Sequence, residues 1–375
     1  MARITRLHRD ERGISNMLVG FGFIGFMAST VLALDVGWWV VARSQAQNSA
    51  DAGALAGAVA LVFNDFNNRS AGGPAVTSAM NAAEANGVGN GQVDVGPEDV
   101  TFPLGPTGLN NRVGVLVERP IPTILGGMFG MNSMQSRAYA EAEASPANAA
   151  RCLLPFTIPD KWEEKTAPPW DENATFDRYA KNGTLLDPRD DYRTGTSGTG
   201  YKAVDKGTLI ELKTGNGSKV SPGIYNPWAI PGSTGADDYR AAIAGCKTGT
   251  MKTGIPLVPE PGNMTGPTAQ GVADLVAKDP DAHWDTGCNC VKGSDPKYGI
   301  SPRIRPIPLY DPSYYEDGKQ SGRNADFKMV SFLGVFVVGM NGNELIARVH
   351  PISAETLEDP SLTPSSFAQS IRLVK

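Results

Sequence analysis

The stretch "ARSQAQNSADAGALAGAVAL", residues 42–61, follows an apolar run without a break and carries an alanine at every fourth position. Residues at this spacing share one face of a helix. Small side chains on such a face allow another element to approach closely. The pattern therefore predicts a tightly packed helix, and we call its five members the alanine stripe: Ala42, Ala46, Ala50, Ala54 and Ala58.

The apolar run before the stripe has the length of a membrane span. No charged residue occurs from Ile14 to Leu34, and the apolar character resumes after Asp35. About 20 helical residues cross the hydrocarbon core of a bilayer. Trp38 and Trp39 suit the aromatic belt at a membrane interface. We therefore predict a transmembrane anchor over residues 17–41.

The arginines around the anchor indicate its orientation. Four of them, Arg3, Arg6, Arg9 and Arg12, precede the span, whereas Arg43 alone follows it closely. The positive-inside rule then predicts a cytoplasmic basic tail at 1–16, a single pass through the inner membrane, and an extracytoplasmic location for the remainder. A cleaved signal peptide is the alternative, because "VLA" at 31–33 has small residues at a suitable spacing.

The stripe has two interpretations that the sequence leaves open. It can pack inside its own domain, since alanine is also the best helix former, or it can pack against helices of a partner protein. Asp35 precedes Ala42 by seven residues, lies on nearly the same face, and needs a partner at a membrane edge. The predicted partner-packing residues are Asp35, Ala42, Arg43, Ala46, Gln47, Ala50, Asp51, Gly53, Ala54, Gly57 and Ala58.

The segment "LDVGWWVVARSQAQNSADAGALAGAVAL" at 34–61 resembles the N-terminal module of the TadE/TadG-type proteins of Tad (tight adherence) pilus assembly. The shared pattern is a span ending in D-x-G, an aromatic residue, an arginine and Q-x-x-A-D-A-A-A-L-A-G-A, from which Gly53 departs where alanine is usual. The resemblance implies a non-enzymatic protein of Flp pilus assembly and cell adhesion. It also implies partners among the other pilus-assembly membrane proteins or the pilin.

Two departures limit what this resemblance carries over. Prepilin-like relatives have a glutamate five residues into the processed chain, a position that Leu18 would occupy here if cleavage followed Gly13. Longer TadG relatives have a D-x-S-x-S metal site, which this sequence lacks. Neither prepilin processing nor metal-dependent adhesion is therefore expected.

The remainder predicts an α+β fold in two parts. Residues 42–146 form a helix-plus-sheet module, with a second helix at 73–87, strands at 91–102, 112–121 and 134–144, and a short helix at 122–131. Residues 150–375 form a loop-rich α+β C-terminal domain. Its predicted helices are 235–246 and 266–279, and its predicted strands are 207–215, 302–311, 327–340 and 343–352.

The chain has four cysteines, all on the predicted outside, where an even count indicates disulfide bonds. Three pairings are possible. A bridge between Cys288 and Cys290 alone would close a very small loop. We therefore expect one of these two to pair with Cys246 or Cys152.

The sequence shows little sign of catalytic or nucleic-acid chemistry. The formal net charge is −5, and no basic stripe is interleaved with aromatics, which argues against nucleic-acid binding. No nucleophile elbow, phosphate-binding loop or zinc-protease motif occurs. We predict no catalytic residues, no metal and no cofactor.

Two alternatives remain for the C-terminal domain. The stretch "DPDAHWDTGCNC" at 279–290 could ligate zinc or calcium and so form an envelope-tethered metal-dependent enzyme centred on His283. The stretches "PDKW", "APPW" and "NPW" could present tryptophans to a glycan or a peptide, or pack inside the domain.

Overall fold

The computed structural model describes residues 11–63, 68–105, 110–171, 173–193, 200–215, 219–233, 235–322, 327–355, 357 and 368–375. The first ten residues of the predicted cytoplasmic tail lie outside this part. The five α-helices among the described residues are α1 Glu11–Phe63, α2 Pro74–Glu84, α3 Ala236–Ala244, α4 Thr265–Val276 and α5 Pro312–Gln320.

The described strands are mostly short and number fifteen. In chain order they are β1 Val100–Thr101, β2 Arg112–Pro122, β3 Ser133–Pro146, β4 Ala149–Ala150, β5 Phe156–Pro159, β6 Leu209–Thr214, β7 Ile224–Pro227, β8 Met251–Lys252, β9 Pro256–Leu257, β10 His283–Asp285, β11 Cys290–Lys292, β12 Ile304–Tyr310, β13 Phe327–Asn341, β14 Glu344–Val349 and β15 Gln369–Leu373.

The chain divides into two compact units. The first takes in Met1–Leu61, Asn67–Glu143 and Arg372–Lys375, and the second takes in Val62–Phe66 and Ala144–Ile371. The sequence predicts a C-terminal domain that covers all of residues 150–375. The last four residues instead join the first unit because Val374 and Lys375 exchange backbone hydrogen bonds with Glu141 of β3.

The first unit packs α1 and α2 on one face of an antiparallel sheet of β1, β2 and β3, and the last residues of the chain bond to β3 at its edge. On β2 the inward side chains are valines at alternate positions, and on β3 they are alanines directly opposite. The buried residues of this face are Val113, Val115, Val117, Ala138, Ala140 and Ala142. Small residues on β3 leave room for a helix to lie close to the sheet.

Helix α1 and strand β2 run antiparallel to each other. Gly57 lies against Val113 and Gly53 lies against Val115, so residue numbers along the helix decrease as those along the strand increase. From residue 57 back to residue 35 the helix rises about 33 Å. From residue 113 to residue 124 the strand direction covers about 36 Å. The loop after β2 is therefore carried to the level of Asp35.

The second unit is built on a closed barrel of six strands. Around the barrel the order is β12-β5-β7-β6-β14-β13, and β13 pairs with β12 to close it; β9 extends the edge of β13. Most neighbouring pairs are antiparallel, while β12–β5 and β6–β7 are parallel. One hydrophobic cluster combines barrel residues such as Phe156 and Leu333 with Ile243 of α3 and Leu275 of α4.

Two buried arginines, Arg305 in β12 and Arg303 just before it, tie carbonyl groups near α3 and α4 to the barrel. Arg305 donates to the carbonyls of Ala242 and Gly245, at 3.1 and 2.8 Å, where α3 ends. Arg303 donates to the carbonyls of Asp279 and Ala282, just beyond α4. Burial lowers the pKa of Arg305 to about 10. A cation at the C-terminal end of a helix is favoured by the exposed carbonyls and the helix dipole.

The two disulfides differ from the expected pairing. Cys152 bonds to Cys246, and Cys288 bonds to Cys290. The expectation that Cys288 or Cys290 would pair with one of the other two is wrong. The hairpin of β10 and β11 is the reason: its tight turn places Asn289 at φ +52° and brings the Cα atoms of the two cysteines within 5.2 Å.

Several predicted elements are confirmed and others are wrong. Helix α2 and strands β2 and β3 lie where the sequence placed them. Of the strand predicted at 91–102, only β1 is a strand in the structure. The segment that precedes β1 is irregular and ends in a 3-10 turn at Pro97–Asp99. The predicted helix at 122–131 is reduced to a 3-10 turn, Gly126–Phe129.

Candidate functional site: the anchor helix and its junction with the β2–β3 loop

Helix α1 is a single 53-residue element in which the predicted anchor and the alanine stripe are continuous. Within the described residues it is the one helix long and apolar enough to cross a membrane. Large apolar side chains of its first half are exposed, among them Leu18, Phe21 and Phe26 at 64–71%. Such exposure is costly in water and favourable in lipid.

Asp35 is the polar centre of this site. It lies in the predicted anchor, is 6% exposed, and accepts three successive backbone amides from the loop after β2. The amides of Ile124 and Gly126 are each 2.6 Å from a carboxylate oxygen, and that of Leu125 is 3.2 Å away. Consecutive amides that point at one anion form the cradle found at the start of helical turns.

The segment that binds Asp35 is the connection between β2 and β3, residues 123–132, which we call the β2–β3 loop. Its internal hydrogen bonds make it compact. The amide of Thr123 donates to Asn132 O, that of Met131 donates to Gly126 O, and Thr123 Oγ1 donates to Met131 O. Gly130 closes the 3-10 turn with φ +84°, a conformation that glycine adopts without a steric penalty.

A second contact fixes the helix one turn further along. Trp39 Nε1 donates to the carbonyl of Gln135 at 2.9 Å, at the start of β3. The guanidinium of Arg43 lies 5.6 Å from the centroid of the Trp39 ring, within the range of a cation–π contact. The helix is therefore held to the sheet by polar contacts at positions 35 and 39, just before the alanine stripe begins.

The alanine stripe packs inside the first unit. All five of its side chains have no exposed surface. A Cβ atom on Gly53 would lie 3.0–3.2 Å from α2 and β2, and one on Gly57 would lie 2.7 Å from Val113 Cγ1. Ser49 Oγ adds a hydrogen bond to Ala83 O of α2 at 2.7 Å. The interpretation in which the stripe packs inside its own domain accounts for this burial.

The predicted partner-packing residues thus separate into two groups. Asp35, the five alanines and the two glycines are buried against their own unit. Arg43 is exposed, and Gln47 and Asp51 are half-buried and joined by a hydrogen bond of 2.8 Å. The close approach at Gly53 also gives the physical reason for glycine where the family pattern has alanine. That these residues contact a partner stays a prediction.

The cluster around His283 does not assemble a metal site in the described part of the chain. Burial acts to raise the pKa of Asp279, but hydrogen bonds from Ser301, the Asp295 amide and Ser294 outweigh it and lower the pKa. Asp285 accepts from Lys292, and both cysteines of the stretch are consumed in a disulfide bond. Four of the candidate ligands of the metal-dependent alternative are therefore engaged in other contacts.

The tryptophan stretches are mostly core. Trp162 and Trp228 are each 1% exposed, and Trp170 packs edge-on against Trp162 at a centroid distance of 5.8 Å. Trp228 Nε1 donates to the carbonyl of Leu154. Internal packing is thus the role that the structure gives them, rather than presentation to a glycan.

The sequence predicts that Asp35 needs a partner, but it did not lead to the β2–β3 loop as that partner. The signal for the loop was present. No charged residue occurs between Arg119 and Arg137, although the strands on either side carry charges.

Comparison with known proteins bears on the N-terminal segment alone. Residues 13–60 match the family model described as "Putative Flp pilus-assembly TadE/G-like". No curated protein and no solved structure matches the chain. The resemblance read from residues 34–61 is confirmed, and the matched segment coincides with most of helix α1.

Proposed function

We propose that this protein is a single-pass, membrane-anchored component of Flp/Tad pilus assembly or anchoring. It acts by helix packing and protein recognition and not by catalysis. Its N-terminus lies in the cytoplasm, and the chain that follows the anchor, from residue 42 onward, lies outside the inner membrane. Other pilus-assembly membrane proteins or the pilin are its partners.

The observation that carries this proposal is the continuity of helix α1. The segment that matches the pilus-assembly family is one helix, with exposed apolar side chains in its first half and a buried stripe in its second half. The first half suits a bilayer and the second half fixes a folded unit directly to it. Such a junction transmits force and position between membrane and domain without a flexible linker.

The cysteines agree with an extracytoplasmic location. All four are joined in two disulfide bonds, and both bonds lie in the second unit. Disulfides persist in oxidising compartments such as the periplasm and are rare in the cytoplasm. Topology is therefore testable with reporter fusions after residue 375, where an oxidising-compartment reporter should be active and a cytoplasmic one inactive.

Partner contacts are tested with photo-crosslinking residues placed in cells that make the pilus. Asn48 is exposed on α1, and Ala50 on the same helix is fully buried. Capture of the pilin or of pilus-machine proteins at Asn48 assigns the partner face to the exposed side of the helix. Their capture at Ala50 means that the stripe itself contacts a partner in the assembly. If neither position captures a pilus component, the proposed role of α1 in assembly is wrong.

A further inference from the structure

The β2–β3 loop has no charged residue, and it exposes several large apolar side chains. Ile124 is 58% exposed, Met128 is 73% exposed and Met131 is 59% exposed. The uncharged stretch runs from Pro120 to Ser136. A cluster of exposed apolar side chains on a short loop marks a surface that is covered by something other than water.

The backbone of the loop is prepared for a medium without water. Amides 124–126 are bound by the Asp35 carboxylate, and the amides of Thr123, Met128, Gly130 and Met131 donate to carbonyls inside the loop. A polar backbone group placed in lipid without a partner costs several kcal/mol. A water-exposed loop has no need of internal partners for so many of its amides, since water supplies them.

The loop also lies at the right level along the anchor. It contacts α1 at position 35, beside the apolar side chains of Leu32, Leu34 and Val36, which are 39–65% exposed. About 20 residues cross the hydrocarbon core. A span that begins near Met17 therefore ends near position 36, so the loop and the outer end of the span share one depth.

We propose that the β2–β3 loop dips into the outer leaflet of the membrane and is a second membrane contact beside the anchor helix. Its occupant is the lipid surface itself, because its apolar tips are continuous with the exposed apolar surface of the span. Asp35 is the positioning residue: it holds the loop at the interface while it is itself shielded from lipid by the loop. The contact fixes the tilt and rotation of the first unit on the bilayer. The inference rests on the membrane anchor of the proposed function, though not on any role in pilus assembly.

The test uses the full-length protein in nanodiscs, one copy per disc, with an environment-sensitive thiol probe. The four native cysteines are all in disulfides, so an introduced cysteine reacts alone. Three variants are compared: Met128→Cys in the loop, Phe23→Cys in the span, and Asn110→Cys as the matched exposed control. Asn110 lies just before β2 begins, about 36 Å of strand away from the loop.

We expect lipids spin-labelled near the headgroup to quench the probe at residue 128 several-fold more strongly than the probe at residue 110. Aqueous iodide should do the reverse. Met131→Cys should repeat the result of Met128→Cys, which guards against a local effect of one substitution.

Two outcomes overturn the proposal. Iodide quenching at 128 equal to that at 110 means that the loop faces water. Shielding from both quenchers means that protein, not lipid, covers the loop. The probe at residue 23 distinguishes these two outcomes from a failure of the anchor. Quenching of this probe by lipids labelled deep in the acyl chain shows that the span is embedded. If these lipids do not quench it, the membrane anchor itself is wrong.

Discussion

Replacing Asp35 by alanine should release the β2–β3 loop from helix α1. The carboxylate makes two hydrogen bonds of 2.6 Å to backbone amides and a longer one to a third. A hydrogen bond to a charged group contributes about 1.5–3 kcal/mol to stability. Loss of the two short bonds therefore costs about 3–6 kcal/mol of docking free energy, because alanine offers these amides no acceptor.

Amide hydrogen exchange of the full-length protein in a fixed membrane mimetic measures this loss locally. Since 1.4 kcal/mol is a factor of ten in an equilibrium, exchange of the peptide that contains residues 120–132 should accelerate by at least about a hundredfold. Asp35→Asn should give a smaller acceleration, because the amide keeps one oxygen acceptor but turns an NH2 donor toward the remaining amides.

Asp51→Ala is the matched control on the same helix. Its carboxylate accepts from Gln47, one turn earlier, and such an i,i+4 pair contributes about 0.2–0.5 kcal/mol. Exchange in the loop should therefore stay at the wild-type rate in this variant. Equal rates in Asp35→Ala and in the wild type would refute the reasoning, since they would mean that the loop holds its position without the carboxylate.

Three further predictions concern packing and charge in the two units. Gly57→Ala places a Cβ atom 2.7 Å from Val113 Cγ1, and it should destabilise the first unit because overpacking costs about 1–3 kcal/mol whereas the better helix propensity of alanine returns about 1 kcal/mol. In a double-mutant cycle measured by thermal unfolding, Val113→Ala should relieve part of this loss and so show positive coupling. Additive effects would mean that the two side chains do not contact each other. Burial raises the pKa of Asp160 to about 6 from 3.8, so its contribution to the stability of the second unit is present at low pH and is lost as the pH rises through 6. The free energies of urea unfolding of the wild type and of Asp160→Asn should therefore differ in their pH dependence by up to about 3 kcal/mol between pH 4 and 7. Parallel plots of unfolding free energy against pH would contradict the assignment. Arg305→Met removes the donors to the carbonyls at the end of α3 and should lower the unfolding free energy by at least about 2 kcal/mol, whereas an unchanged denaturation midpoint would show that water replaces the guanidinium at no cost.

The sequence predicted the features that depend on neighbours along the chain. The alanine stripe and strand β2 each carry a periodic pattern over ten or more residues, and the anchor is a continuous apolar run of sufficient length to span a bilayer. Such patterns determine the type of an element. The strand expected at 91–102 lacked that support, since its alternation is interrupted by Gly96 and Pro97. It formed only the two-residue strand β1.

The tertiary structure decided the pairings between residues far apart in the sequence. Composition indicates disulfides, but the turn between β10 and β11 decides that Cys288 pairs with Cys290. Closure of the six-stranded barrel depends on β12 meeting both β5 and β13, which no local pattern specifies.

For the site itself, the sequence predicts a long helix that carries a carboxylate and a stripe of small residues on one face, directly after an apolar span. What covers that face depends on contacts between segments that are far apart in the chain. Strand β2 runs antiparallel to the helix for about the same length, and so its valines reach the stripe while its loop reaches Asp35. Periodicity along the chain determines which side of a helix is buried. The segment that covers this side is determined by strand register and by the need of a buried carboxylate for hydrogen-bond donors.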